Sequence, residues 1–157
     1  MPQLRLSNAI AAAVAAEIEV IRTEGLLDAF PPAATAIIKS EKLPIYELKD
    51  LNVLRINASP TSRSSSRGPG SRNTTEQEHV VTVQLTMRTL NNSELFDQLI
   101  DFVSDLDDLL AARYLDVAGR EISWESSDIN PIYDIDEAYT NKVFLSQIQV
   151  NWQAFDN

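Results

Sequence analysis

The chain has 157 residues, 44% of them hydrophobic and 23% charged, which is the composition of one ordinary globular domain that can bury a core without covalent staples. It contains no cysteine, which excludes disulfides, thiolate metal sites and cysteine nucleophiles, and fits a reducing compartment. The formal net charge of -10, from 23 acidic and 13 basic residues, opposes tight DNA binding, whose affinity comes from Lys and Arg displacing counterions.

Leu6, Ile10, Val14, Ile18 and Ile21 recur at three- and four-residue steps, with Ser7 or Asn8 as N-cap and Gly25 just past the end. That spacing predicts an amphipathic helix over roughly residues 7 to 24. Glu17 and Glu19 interrupt its alanine run, so it reads as a helix rather than an export signal. No run approaches the roughly 18 to 20 apolar residues needed to cross a bilayer, and the expectation is a soluble protein with no membrane partner. Pro31-Pro32 breaks the pattern, and Ala34 to Lys39 is a short strand candidate. Leu43 to Leu51 stays ambiguous between extended chain and a short turn, and Val53 to Ala58 reads as strand. Val81, Val83, Leu85 and Met87 then alternate with Thr82, Gln84, Thr86 and Arg88, a period of two with one buried face.

The stretch between these strands, SPTSRSSSRGPGSRNTTEQEH from Ser59 to His79, is too long for a simple turn, since unstructured loops beyond about 12 to 15 residues are uncommon in compact domains. It predicts a long β-hairpin arm over residues 59 to 79. Arg63, Arg67 and Arg72 make the arm basic, with no acidic residue between Ser59 and Thr75. Its serines and glycines predict mobility in the free chain, and its guanidinium groups predict ordering against an acidic protein partner.

Asn91-Asn92-Ser93 caps a second predicted helix, whose stripe of Leu95, Leu99, Phe102, Val103, Leu106 and Leu110 runs to about Arg113. Asp97, Asp101, Asp105 and Asp108 line the opposite face. Such a row is either simply solvated, or meets a basic partner, or lines an acidic passage, because like charges at this spacing repel by a few tenths of a kcal/mol. Glu121 to Glu125 reads as strand, SDINPIYDIDEAYTN as a polar loop, and Phe144, Ile148, Val150 and Trp152 share one face of a final strand. The order α-β-β-β-α-β-β predicts a single α+β domain over residues 1 to 157. Its expected architecture is a mainly antiparallel sheet of four to five strands, two helices packed on one face, and the extended hairpin arm.

Nothing in this layout carries chemistry. His79, the only histidine, has no local nucleophile signature and is expected to be exposed or at the hairpin edge. Asp128, Asp134, Asp136 and Glu137 lack the spacing and central glycine of a calcium loop, and read as loop carboxylates. Gly68-Pro69-Gly70 has neither the pattern nor the following helix of a phosphate cradle. No catalytic, cofactor or metal residue is assigned, and the expectation is a protein that is not an enzyme.

The layout as a whole resembles the tail terminator proteins of long-tailed bacteriophages. The likeness lies in the N-terminal helix, the strand KDLNVLRINASP ending in a Ser/Arg loop, the return strand VVTVQLTMR, the acidic helix, the NPIYD loop and the closing strand VFLSQIQVNW. It covers nearly the whole chain. What it implies is a virion subunit, assembled in the cytoplasm of a bacterial host, that forms a homo-oligomeric ring, expected to be a hexamer. The ring would cap the tail tube, end its polymerisation and present a docking surface to the head-closure or connector proteins of the neck. An acidic body suits a conduit through which DNA passes without sticking. The family has no catalytic site to carry over, and this arm is longer and richer in serine than in its simplest members. Two alternatives stay open at this stage, a head-closure or other connector protein of the neck, and a metal-dependent hydrolase.

Overall fold

The computed structural model of the chain describes residues 2–67 and 75–156. Helix α1 (Pro2–Thr23) buries Ile10, Val14, Ile18 and Ile21, the stripe read from the sequence. It begins upstream of the expected cap, so Ser7 lies inside the helix, where its hydroxyl finds a side-chain partner instead of a backbone N–H. It ends at Gly25, whose φ of +81° lets Leu26 N–H reach Ile21 O and Gly25 N–H reach Arg22 O, at 3.3 and 3.0 Å.

Strand β1 (Ile37–Lys39) is followed by a loop and a 3-10 turn, Leu48–Asn52, held by a reciprocal Glu47–Asp50 capping box. Strands β2 (Arg55–Arg67) and β3 (Thr75–Arg88) follow, then helix α2 (Ser93–Ala111), capped by the Asn92 side chain accepting from Leu95 N–H. The remaining elements are β4 (Tyr114–Val117), β5 (Arg120–Ile129), α3 (Ile135–Thr140) and β6 (Val143–Asp156).

These elements correct the expected architecture. The sheet has six strands in the order β1-β2-β3-β6-β5-β4, and it is mixed, because β1 runs parallel to β2 while every other pair is antiparallel. It curls into a half-barrel and carries a third helix. Two elements were hidden in stretches read as breaks or loops. Strand β4 is only four residues long, and its hairpin turns at Ala118 and Gly119, both at positive φ. Helix α3 starts where Asp134 accepts from Glu137 N–H at 3.0 Å, inside the segment read as a polar loop.

The extended arm is also corrected. Strands β2 and β3 pair as far as Arg67 with Thr75, but β6 pairs with β3 all the way out to Thr75 with Asp156. What was expected as a two-stranded arm is, in its described part, the outer end of a three-stranded ladder. The sequence understated β6, whose Asn151, Gln153 and Asp156 weaken the apolar pattern that marks a strand.

The core lies on one face of this sheet. Val81, Val83, Leu85 and Met87 of β3 pair with Val150, Ile148, Ser146 and Phe144 of β6; all eight are buried, and all but Ser146 belong to the apolar core that also takes in the buried faces of α1 and α2. Phe30 and Phe102 close one part of it, with ring centroids 4.7 Å apart.

Candidate functional site

The arrangement that most resembles chemistry is built around His79. Its side chain lies on the core face of β3, opposite Trp152 of β6, and only 1% of the residue is exposed, which corrects the expectation of an exposed histidine. The polar residues around it had masked its burial, because the outer ladder that covers it was read as an arm. His79 Nε2 lies 3.1 Å from Gln77 Oε1, an acceptor, so Nε2 carries the proton. Nδ1 is therefore the acceptor for Ser7 Oγ–H at 2.9 Å. Burial, then the positive charges of Arg63 and Arg120, pull the imidazole pKa down to about 4.

This geometry brings a hydroxyl and an imidazole together with an amide, and not a carboxylate, behind the ring. The group that orients His79 is a neutral amide, which gives an imidazolium no counter-charge, and two cations oppose its formation. Ser7 also lines a cleft of about 280 Å³ with Asn8, Lys42, Pro60, Thr61, Ser62 and Arg63. Among the described residues no carboxylate lines it. Lys42 and Arg63 have no ion pair among the described residues, and Arg63 Nε is buried without a hydrogen-bond partner.

The three arginines assigned to the arm do not form one described patch. Arg63 turns toward His79 across the β2–β3 ladder, Arg67 is the last residue of β2, and Arg72 lies outside the described residues. The acidic row is as expected in exposure: Asp97, Asp101, Asp105 and Asp108 are all exposed on α2, opposite its buried stripe. The calcium-like carboxylates do not converge. Asp128 sits in β5, Asp134 caps α3, and Asp136 and Glu137 occupy its first turn; among the described residues no group of three or more such side chains could hold a metal ion.

The surfaces that sequence reasoning missed are apolar. At the start of α2, Phe96 packs edge-on against Phe144 and Tyr133, at centroid distances of 5.2 and 4.9 Å. Around it open two adjoining hollows of about 340 and 240 Å³, lined by Phe96, Tyr133, Ile135, Ala138, Tyr139 and Lys142 on one side and by Leu90, Asn92 and Asp97 on the other. Ile135 and Tyr139 project from α3 with 63% and 79% of their surface exposed. A second apolar surface is the loop after β1, where Leu43 and Ile45 are 75% and 77% exposed. That loop is not slack: the Asn57 side chain forms two 2.8 Å bonds with the Glu41 backbone, and Arg55 lies over the Tyr46 ring at 5.1 Å. The signal available in the sequence was apolar residues in LPIYEL and NPIYDIDEAY that fit neither a period of two nor one of 3.6.

The two surfaces occupy different flanks of the sheet. The loop hangs on β1 and β2, whereas α3 and the segment before it are tied to β6, with Asp134 N–H bonded to Leu145 O at 2.9 Å and Asn130 N–H to Gln147 O at 3.0 Å. Strand β3 separates β2 from β6.

No protein-family model matches the chain, and no curated protein matches it. Among solved structures, a chain from the virion of a native gene transfer agent particle is similar, with a TM-score of 0.48 and 11% identity over 92% of each chain. Another solved chain has a TM-score of 0.44 and 14% identity over 83% of this chain and 85% of its own.

Proposed function

We propose that the chain is a structural subunit of a phage-type particle and acts as a tail terminator, assembling into a ring that caps the tail tube and presents a surface to the neck. The observation that carries this reading is the pair of separate exposed apolar surfaces, the loop of Leu43 and Ile45 and the hollow around Phe96, Ile135 and Tyr139. Contiguous apolar patches are sparse on monomers and mark sites of protein contact. The layout of elements that resembles tail terminators supports the same reading, as does the acidic charge of -10, which suits a channel that DNA slides through. In this reading the only paired imidazole and hydroxyl, His79 and Ser7, hold α1 to the sheet and perform no reaction.

The ring ends growth geometrically. Its contact around the circle closes on itself, and of its two flat faces one fits the last ring of the tube and the other does not repeat that fit. The test is removal of the protein from an assembling particle, followed by electron microscopy. Loss of a terminator leaves overlong or irregular tails. Normal free tails together with leaking heads would instead assign the chain to head closure, the second reading that the same surfaces allow.

A further inference from the structure

We infer that the loop from Lys42 to Leu48 of one copy docks into the α2–α3 hollow of a second copy, as a head-to-tail contact. The inference rests on the assembly reading above and names the surfaces that build it.

Four observations point to this occupant. The loop offers Leu43 and Ile45, both about three-quarters exposed, between two held points, Glu41, whose backbone Asn57 bonds, and Tyr46, whose ring lies under Arg55, which limits the chain that docking must order. The hollow offers concave apolar volume of matching character, about 340 Å³ walled by Phe96, Tyr133, Ile135 and Tyr139. The charges near the contact are complementary. Lys42, at the start of the loop, has no ion pair among the described residues, and Arg63 shares its cleft, while Asp97 lines the adjoining hollow of about 240 Å³ that shares Phe96, Ala138 and Lys142 with the first, and Asp101 follows one turn along α2. Lys142 is the cation on the hollow's own rim, and it is turned onto the Tyr139 ring at 6.0 Å.

Finally, a copy cannot fill its own hollow. The loop is anchored on β1 and β2 and the hollow on β6, with β3 between them. A contact between two different surfaces of the same chain leaves one of each free at the ends of every short assembly, so it propagates until it closes.

The test uses two single substitutions at exposed positions of the full chain, Ile45→Asp on the loop and Tyr139→Asp in the hollow, each checked for an unchanged thermal midpoint. Self-association is read by sedimentation velocity over a concentration series. Each variant alone is expected to associate at least about tenfold more weakly than the unsubstituted protein, as for loss of a central interface anchor. Mixing the two is the decisive arm. The Ile45→Asp copy keeps its hollow and the Tyr139→Asp copy keeps its loop, so the mixture gives one-to-one dimers and nothing larger. If either variant still assembles as the unsubstituted protein does, or the mixture yields no dimer, the inference is overturned while the assembly reading stands. If the unsubstituted protein stays monomeric at every concentration and does not bind purified tail tubes, both fall together.

Discussion

Because His79 is the only histidine, its titration can be followed without ambiguity, and the structure sets its sign and size. The free imidazole titrates at 6.5, but in the folded chain burial and then Arg63 and Arg120 hold it down at about 4. Between these values the unfolded chain binds a proton that the folded chain does not, so stability falls as the pH drops through 6.5 and levels off only below about 4. The slope approaches about 1.4 kcal/mol per pH unit, and lowering the pH from 7.5 to 5.0 removes about 2 kcal/mol. Urea unfolding across that range tests this, with His79→Gln as the reference that retains the carboxylate background. The difference in unfolding free energy between the two proteins should shrink by about 2 kcal/mol on acidification. In parallel, the imidazole proton resonance of the folded chain should not move between pH 8 and 5. A pH-independent difference, or a resonance titrating near 6.5, would refute the burial of the Ser7–His79–Gln77 network.

Phe102→Ala removes a ring packed 4.7 Å from Phe30 in the core, and denaturant melts should show a loss of about 3 to 5 kcal/mol. Changing Asp97, Asp101, Asp105 and Asp108 together to Lys should leave the circular dichroism and thermal midpoint of the monomer nearly unchanged, since all four are exposed, while sedimentation shows weakened self-association. Replacing Thr61 to Asn73 by a short Gly/Asn turn should cost at least about 1 kcal/mol, because the β2–β3 pairs from Ser62 with Val80 to Arg67 with Thr75 are lost and one flank of β3 is left open. An unchanged melting curve for that variant would mean that the outer ladder contributes nothing to the fold.

The elements legible in the sequence were those whose apolar residues recur on one face without interruption. The odd positions of β3 from Val81 to Met87 and the α2 stripe from Leu99 to Leu110 announce their faces in this way, even though Thr82 and Thr86 on the other face of β3 are buried too. What stayed hidden had its signal diluted. Strand β4 shows a single alternation, Leu115 and Val117, too short to stand out from the end of α2. Helix α3 buries no residue, so it has no apolar stripe, and only the Asp134 cap marks it. The outer ladder buries Gln77 and His79 among polar neighbours, and polarity reads as exposure unless the hydrogen-bond partners, here Ser7 and a residue two positions away, are known. The site was harder still. Acidic and basic residues can be listed from sequence, but whether Leu43, Ile45, Ile135 and Tyr139 face the core or solvent depends on which strands cover them.

A pair of bulges explains how the polar outer ladder and the apolar core share one sheet. Strand β2 gains a residue between Pro60 and Ser62, opposite Val81 and Val80, and β5 gains one between Trp124 and Ser126, opposite Trp152 and Asn151. The two irregularities therefore flank the Val80–Asn151 pair, next to the pairing of His79 with Trp152, one on each side of the central β3–β6 pair. An extra residue bends a strand and sends every later side chain to the other face. Before its bulge β2 turns Ile56, Ala58 and Pro60 toward the buried face; after it, Arg63 takes that face opposite His79. In straight register Ser62 would oppose His79, and Arg63 would point away from both the imidazole and the cleft. The bulge thus adds the Arg63 charge to the burial that chiefly keeps His79 neutral and, in the same step, places a cation in the cleft it shares with Lys42, at the edge of the loop that carries Leu43 and Ile45. Sheet curvature and the chemistry of the proposed contact have one structural origin.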